Sequence, residues 1–224
     1  MNHIKATIFD LDGLLLDTER IALSTFVAAC REHDFEPDIN VYYKCLGRNE
    51  STTKQIMLDG YGKDFPWESI NELWVKEYDK ETLGKAIPIK AGALSLLEYL
   101  EEGTFKKVVA TSSRTAKARE KLSRAGMLHF FDFVLGGDEI TNPKPHPEIY
   151  LSACRRLNEE PANCLALEDS ENGVRSALEA GLTVIQVPDL VPPSRDMQAL
   201  GHKIVKSLVE VKMLLQNHKS GGQK

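Results

Sequence analysis

The chain has little that would staple it, carry it across a membrane or draw it to a polyanion. Its 224 residues include four cysteines, Cys30, Cys45, Cys154 and Cys164, and no two have the C-x-x-C spacing of a metal or redox pair. This excludes a zinc or disulfide framework, and all four read as reduced structural thiols. Long apolar runs are absent as well. The longest near the N-terminus is Leu14-Leu15-Leu16, far short of the roughly 18 residues a membrane span needs. Met1-Asn2-His3-Ile4-Lys5 leads straight into a strand-like stretch without basic, apolar and cleavage regions in series, so the expected location is the cytoplasm. Nor is there an excess of positive charge: 33 acids stand against 28 Lys and Arg, a formal net charge of −5. With both signs interspersed, neither nucleic acid nor a membrane is an expected partner. Nothing in the sequence sets an oligomeric state.

What is present is an alternation of short apolar segments and helical patterns. Ala6 to Phe9, Lys107 to Ala110 and Cys164 to Leu167 read as buried strands, each followed by polar residues, and Thr183 to Val187 reads as a further strand before Pro188. Ala91 to Glu102, Ala116 to Ala125, Pro147 to Leu157 and Asn172 to Ala180 have helical spacing, and Gly103, Gly126 and Gly181 follow three of them as stop signals. The pattern predicts an α/β fold, a parallel sheet covered by helices on both faces.

Thr18 to Lys85 contains no convincing strand. Its apolar residues recur at helical spacing, as in Ile21, Phe26, Ala29 and Cys30, and again in Ile70, Leu73, Trp74 and Tyr78. Residues 18–85 are therefore expected to form an all-helical insertion, and residues 1–17 with 86–215 the α/β core. The small, polar end of the chain, residues 216–224, is expected to be disordered.

In an open parallel sheet, ligands bind beyond the carboxyl ends of the strands. There the sequence places Asp10-Leu11-Asp12-Gly13, Thr111-Ser112-Ser113 and Glu168-Asp169-Ser170, with Asn142-Pro143-Lys144-Pro145 in a loop after Phe133 to Leu135. Four carboxylates converging on one crevice would repel one another and lose hydration. A bound cation would offset this, and an all-oxygen ligand set without His or Cys suits Mg²⁺.

At these residues the sequence resembles the haloacid dehalogenase superfamily of aspartate-nucleophile phosphotransferases. Asp10-x-Asp12-Gly13-x-x-x-Asp17-Thr18, Thr111, Lys144 and Glu168-Asp169 match its four motifs in order and spacing. The form of the first motif, with a helical insertion directly after it, is similar to the subgroup of sugar-phosphate, phosphoglycolate and pseudouridine-5′-phosphate phosphatases and β-phosphoglucomutase. Pro143 stands where the family usually has Gly. The resemblance implies a Rossmann-like core with a small all-helical cap. It implies that Asp10 is the nucleophile and that Asp12 is the general acid and base. Asp10, Asp12 through its carbonyl, and Asp169 would hold Mg²⁺ with Glu168 behind them, and Thr111, Ser112 and Lys144 would bind the phosphoryl group. Each has an ordinary structural counterpart, such as a helix cap for Asp12, Asp169, Ser112 or Ser113.

The expected activity is a Mg²⁺-dependent phosphatase of small phosphorylated metabolites. The alternatives are a sugar-phosphate mutase and a non-catalytic binding module. Candidate specificity residues are Glu19, Arg20, Arg48, Asn49 and Lys54. Against the mutase, the mutases of the subgroup carry a G-V-S-R loop whose Arg receives a distal phosphate, and a His twelve positions after the nucleophile. Here those positions hold Glu50 and Ala22. Arg48 is the neighbour that would have to substitute. His146 reads as a solvated loop residue, Trp67 and Trp74 as helix packing. Asn49-Glu50-Ser51 matches a glycosylation acceptor, a match set aside in the absence of a secretion signal.

Overall fold

The computed structural model describes residues 3–103 and 105–220. Six strands form one sheet: β1 (Ala6–Phe9), β2 (Lys106–Ala110), β3 (Phe133–Leu135), β4 (Cys164–Glu168), β5 (Thr183–Gln186) and β6 (Lys203–Ile204). Their order is β3-β2-β1-β4-β5-β6 and every pairing is parallel. Successive side chains of a strand point to opposite faces, so strands covered on both sides are apolar at most positions. Phe9, Val109, Leu165, Leu167 and Ile185 face one cluster with helices α5 (Ala93–Glu102), α6 (Thr115–Arg124) and α10 (Leu208–Ser220). Ala6, Ile8, Val108, Ala110, Cys164, Ala166 and Val184 face the other, against α7 (Glu148–Leu157) and α8 (Glu171–Glu179). Cys164 and Cys154 are buried there as free thiols, and Cys30 and Cys45 are buried elsewhere.

Helices α1 (Thr18–Glu32), α2 (Ile39–Tyr43), α3 (Glu50–Tyr61) and α4 (Trp67–Gly84) gather around a third apolar cluster that includes Phe26, Tyr42, Met57, Trp67 and Ile70. No strand lies in this lobe among the described residues. The Trp74 indole N–H donates to the Ala22 carbonyl at 2.9 Å, tying α4 to α1. The two chain crossings between lobe and sheet run side by side: the Asp17 amide donates to Pro88 O and the Lys90 amide to Leu15 O.

The end of the chain and two short elements add detail to the sequence reading. Helix α10 continues to Ser220, so residues 216–220 of the expected disordered end are helical; residues 221–224 lie outside the described residues. A short helix, α9 (Arg195–Gln198), and the two-residue strand β6 also have no counterpart in the sequence reading; segments this short hold no periodicity to detect. No helix among the described residues is long and apolar enough to cross a membrane.

Candidate active site

The strand order decides what meets. The chain runs outward from β1 through β2 to β3, then returns to place β4 on the other side of β1, so the order reverses at β1. A crevice opens at such a switch point. Phe9 is level with Val109 on one side and Leu167 on the other. Asp10 follows β1 directly, Glu168 is the last residue of β4 beside it, and Thr111 comes after Ala110 at the end of β2, so all three stand at the same carboxyl edge of the sheet.

The turn after β1 is anchored by apolar burial: Leu11, Leu14, Leu15 and Leu16 are fully buried, and the Leu15 and Leu16 amides both donate to Leu11 O. Gly13 has φ +88°, and a Cβ there would lie 2.3 Å from Asp169 Oδ2. The position thus demands glycine for its left-handed backbone and for the close approach of Asp169.

Two separate ion clusters occupy the crevice. In the first, the buried Lys144 ammonium donates to Asp10 Oδ1 at 2.7 Å, Glu168 Oε1 at 2.6 Å and Ala110 O at 3.0 Å. These use all three of its protons. Glu168 is wholly buried and also accepts from the Tyr150 hydroxyl at 2.6 Å and from Ser170 Oγ at 3.2 Å. Pro143 thus does not keep Lys144 from the crevice. In the second, Asp12 Oδ1 accepts from Thr18 Oγ1 at 2.6 Å and Lys121 Nζ at 2.7 Å, and Oδ2 accepts from Ser113 Oγ at 2.8 Å. Lys121 also donates to the Tyr78 hydroxyl at 2.8 Å.

These surroundings push the two aspartates apart. Burial raises the Asp10 carboxyl to about 7, with the Lys144 charge opposing and Glu168 and Asp12 adding to the rise. Burial would raise Asp12 too, but the Lys121 ammonium and the hydrogen bonds from Lys121, Thr18 and Ser113 outweigh it and hold Asp12 below its usual range. Asp169 is driven well up by burial and by the neighbouring charges of Asp10, Glu168 and Glu19.

Ligand oxygens of Asp10, Glu168 and Asp169 all lie within 4.8 Å of one another. Lys144 offsets part of that negative charge, and Glu168 is occupied by Lys144, Tyr150 and Ser170. Among the described residues, Asp10 Oδ2 and the Asp169 carboxylate accept no hydrogen bond. These unengaged hard oxygens, with the close approach over Gly13, fit a small divalent cation.

The remaining predicted residues separate. Thr111 is buried at the end of β2, and its hydroxyl accepts from the Ser113 amide at 3.1 Å. Ser112 Oγ donates to the Gly47 carbonyl at 3.3 Å, and Asn172 Nδ2 to the Leu46 carbonyl at 3.1 Å, so the helical lobe's loop rests on the strand-end loops. Glu19 lies against Gly13, and burial with the charges of Asp12 and Asp10 raises its carboxyl to about 8. Arg20 is exposed and pairs with Asp17 and Asp189. Arg48 is half-buried in the resting loop, its Nε without a partner. Asn49 is the N-cap of α3, accepting from the Thr52 amide at 3.0 Å. Lys54 turns to Glu68 at 2.7 Å, in a groove lined by residues 50–72 of the lobe alone. His146 is exposed.

Sequence reasoning missed Lys121, Tyr78 and Tyr150 as site residues and gave Ser113 little weight. For Lys121 a signal existed: it shares the buried face of α6 with Ala118 and Leu122, where an unpaired ammonium is costly.

Comparison with known proteins agrees with this geometry. The profile of the family described as "Haloacid dehalogenase-like hydrolase" matches residues 7–187. A Thermotoga maritima protein, "Phosphorylated carbohydrates phosphatase", is 29% identical over 179 residues, covering 80% of this chain and 82% of its own. A Drosophila melanogaster "Probable pseudouridine-5′-phosphatase" is 30% identical over 225 residues, 95% of this chain and 93% of its own. The crystal structure of CbbY from Rhodobacter sphaeroides in complex with phosphate superposes with a TM-score of 0.78 at 26% identity, over 93% of this chain and 96% of that one. With a profile match across most of its length and these relatives beside it, the chain belongs to the haloacid dehalogenase-like hydrolase family.

Proposed function

We propose that this hydrolase releases phosphate from small phosphorylated metabolites, sugar or nucleoside phosphates, by double displacement through a phospho-Asp10 intermediate. The observation that carries the reading is the division of the crevice: Asp10 sits with Lys144 and Asp169, while two residues on a second carboxylate, Asp12, is held by a separate set of donors. Lys144 places a cation beside the nucleophile, and three separate donors fix the orientation of the proton carrier. Relatives whose names specify phosphorylated carbohydrate and pseudouridine 5′-phosphate substrates support the substrate class.

Asp10 attacks phosphorus through the carboxylate oxygen that the cation does not take. Asp12 gives its proton to the leaving oxygen and then takes one from the attacking water. Lys144 and Thr111, with the Ser112 amide, neutralise charge spreading over the phosphoryl oxygens. Mg²⁺ held by Asp10, Asp169 and the Asp12 carbonyl supplies further neutralisation when bound. Helices α1–α4 form the cap domain of residues 18–85 that excludes bulk water over the core of residues 1–17 and 86–215. The test is phosphate release from p-nitrophenyl phosphate, which a non-catalytic module would not show. Chelation is expected to abolish release and Mg²⁺ to restore it, with Mg²⁺ also raising the unfolding midpoint by mass action. Ca²⁺ is expected to inhibit, because a larger ion that accepts more oxygen ligands would compete for the Asp10 oxygen that has to attack. Full activity in excess chelator would refute the metal assignment.

One observation favours a mutase as the second reading, the half-buried Arg48 whose Nε lacks a partner beside the resting loop. Against it, Glu50 is an exposed residue in the first turn of α3, and Ala22 is part of the lobe's apolar packing. Net hydrolysis is expected to dominate. β-Glucose 1-phosphate with Mg²⁺ and a bisphosphate primer should yield free phosphate well ahead of glucose 6-phosphate, and the reverse ratio would replace phosphatase by mutase.

A further inference from the structure

The Asp12 carboxylate is pinned from three directions. Thr18 opens α1, Ser113 lies in the loop after β2, and Lys121 projects from α6. A carboxylate offers about four acceptor sites, two on each oxygen. Thr18 and Lys121 take both on Oδ1 and Ser113 takes one on Oδ2. One site remains, on Oδ2.

Lys121 is almost wholly buried, with 3% of its side chain exposed. An apolar residue would fill the same face of α6, flanked by Ala118 and Leu122, without the cost of taking an ammonium out of water. Its second partner belongs to the helical lobe: the Tyr78 hydroxyl of α4 accepts at 2.8 Å, and the ammonium lies 5.0 Å from that ring's centroid. One turn earlier on α6, Lys117 pairs with Asp79 of α4 at 2.7 Å. The seam between lobe and core thus runs through the residue that holds Asp12.

We propose that Lys121 is a positioning residue for Asp12, leaving Oδ2 as the atom that exchanges the proton, and that Tyr78 makes this aim depend on the seating of the helical lobe. The proposal rests on the phosphatase reading above. A proton delivered with the phosphomonoester monoanion first settles on Oδ2; in the first step it passes to the leaving oxygen as that oxygen's bond to phosphorus breaks and Asp10 bonds to phosphorus. In the second, water bonds to phosphorus, its proton passes to Oδ2, and the Asp10 oxygen leaves with the electron pair. A carboxylate released from Lys121 rotates and presents Oδ2 to the leaving oxygen for only part of the time.

The experiment is a set of variants, Lys121→Met, Lys121→Arg, Tyr78→Phe and the Lys121→Met/Tyr78→Phe double. Each is assayed with Mg²⁺ on p-nitrophenyl phosphate and glucose 6-phosphate, with unfolding midpoints measured alongside. The ratio kcat/KM reports steps up to phosphoryl transfer to Asp10, so the shared second step cancels when the esters are compared. Lys121→Met is expected to lower kcat/KM about 100-fold on glucose 6-phosphate, whose alkoxide leaves only with a proton, and less than about tenfold on the aryl ester. The loss should fall on kcat, with KM little changed. Lys121→Arg, which keeps the charge, is expected to recover at least about tenfold of it. Tyr78→Phe is expected to cost severalfold in the native background and nothing further in the Lys121→Met background, the non-additivity of residues acting as one unit. Equal losses on the two esters, or additive effects of Lys121→Met and Tyr78→Phe, would overturn the proposal. If Lys121→Met does not fold, Lys121→Arg and Tyr78→Phe carry the same ester comparison. Wild-type protein that hydrolyses neither ester rejects the phosphatase reading instead, so the two failures are distinct.

Discussion

Asp10→Asn is expected to abolish turnover, by at least about 10⁴-fold in kcat, while leaving the protein folded. The amide has nearly the shape of the carboxylate but has no anionic oxygen to attack phosphorus. Its carbonyl oxygen can still accept from Lys144, which also keeps Glu168 at 2.6 Å and Ala110 O at 3.0 Å. Removing one negative charge from a cluster whose ligand atoms lie within 4.8 Å relieves repulsion. The unfolding midpoint should therefore hold or rise, because burial and its acidic neighbours disfavour the charged form of Asp10. Incubation with substrate should leave a hydroxylamine-sensitive phosphoryl label on the wild-type chain and none on the variant. Turnover within tenfold of wild type, or the same label on the variant, would remove Asp10 from the nucleophile's role.

Gly173→Ala is expected to damage stability and activity together, although residue 173 touches no substrate in the proposed mechanism. Gly173 lies in the first turn of α8, and a Cβ there would sit 1.9 Å from Glu168 Cδ and Oε1 and 2.1 Å from Oε2. A flexible carboxylate at the surface would step aside. Glu168 is fully buried and held by Lys144, Tyr150 and Ser170, so it cannot do so without breaking those bonds. Overpacking added to disruption of a buried ion pair costs about 3–5 kcal/mol, which lowers the unfolding midpoint by roughly 10 °C in a chain of this size. Lys144, losing one of two anionic partners, would no longer be fixed beside Asp10, and phosphate release should fall at least about tenfold. Circular-dichroism melting and the p-nitrophenyl phosphate assay check both. A variant with the native midpoint and native activity would show that Glu168 has room to move and that its buried ion pair is not needed.

The local sequence determined the elements and the identities at their ends. Two-sided apolar runs such as Ala6 to Phe9 can be satisfied only in a covered parallel sheet, and the helical spacing of residues 18–85 cannot sit in that sheet. Asp10 and Asp12 were legible because they directly follow a strand and Gly13 terminates their turn, and Lys144 because prolines flank it. Tertiary structure decided everything that depends on which strands are neighbours. The reversal of order at β1 sets Thr111 and Glu168 on either side of Asp10, and no local pattern encodes that reversal. It likewise chose the partners of Asp12: Lys121 is 109 residues away along the chain and Ser113 is 101. Tyr78, 43 residues from Lys121, belongs to the other lobe. Asn49, a candidate specificity residue, caps α3, and Lys54, another, pairs with Glu68. A polar residue's type limits the bonds it can form, but burial and long-range packing select which are formed, because only a dry, assembled interior makes an unpaired ammonium or carboxylate costly enough to dictate its partner.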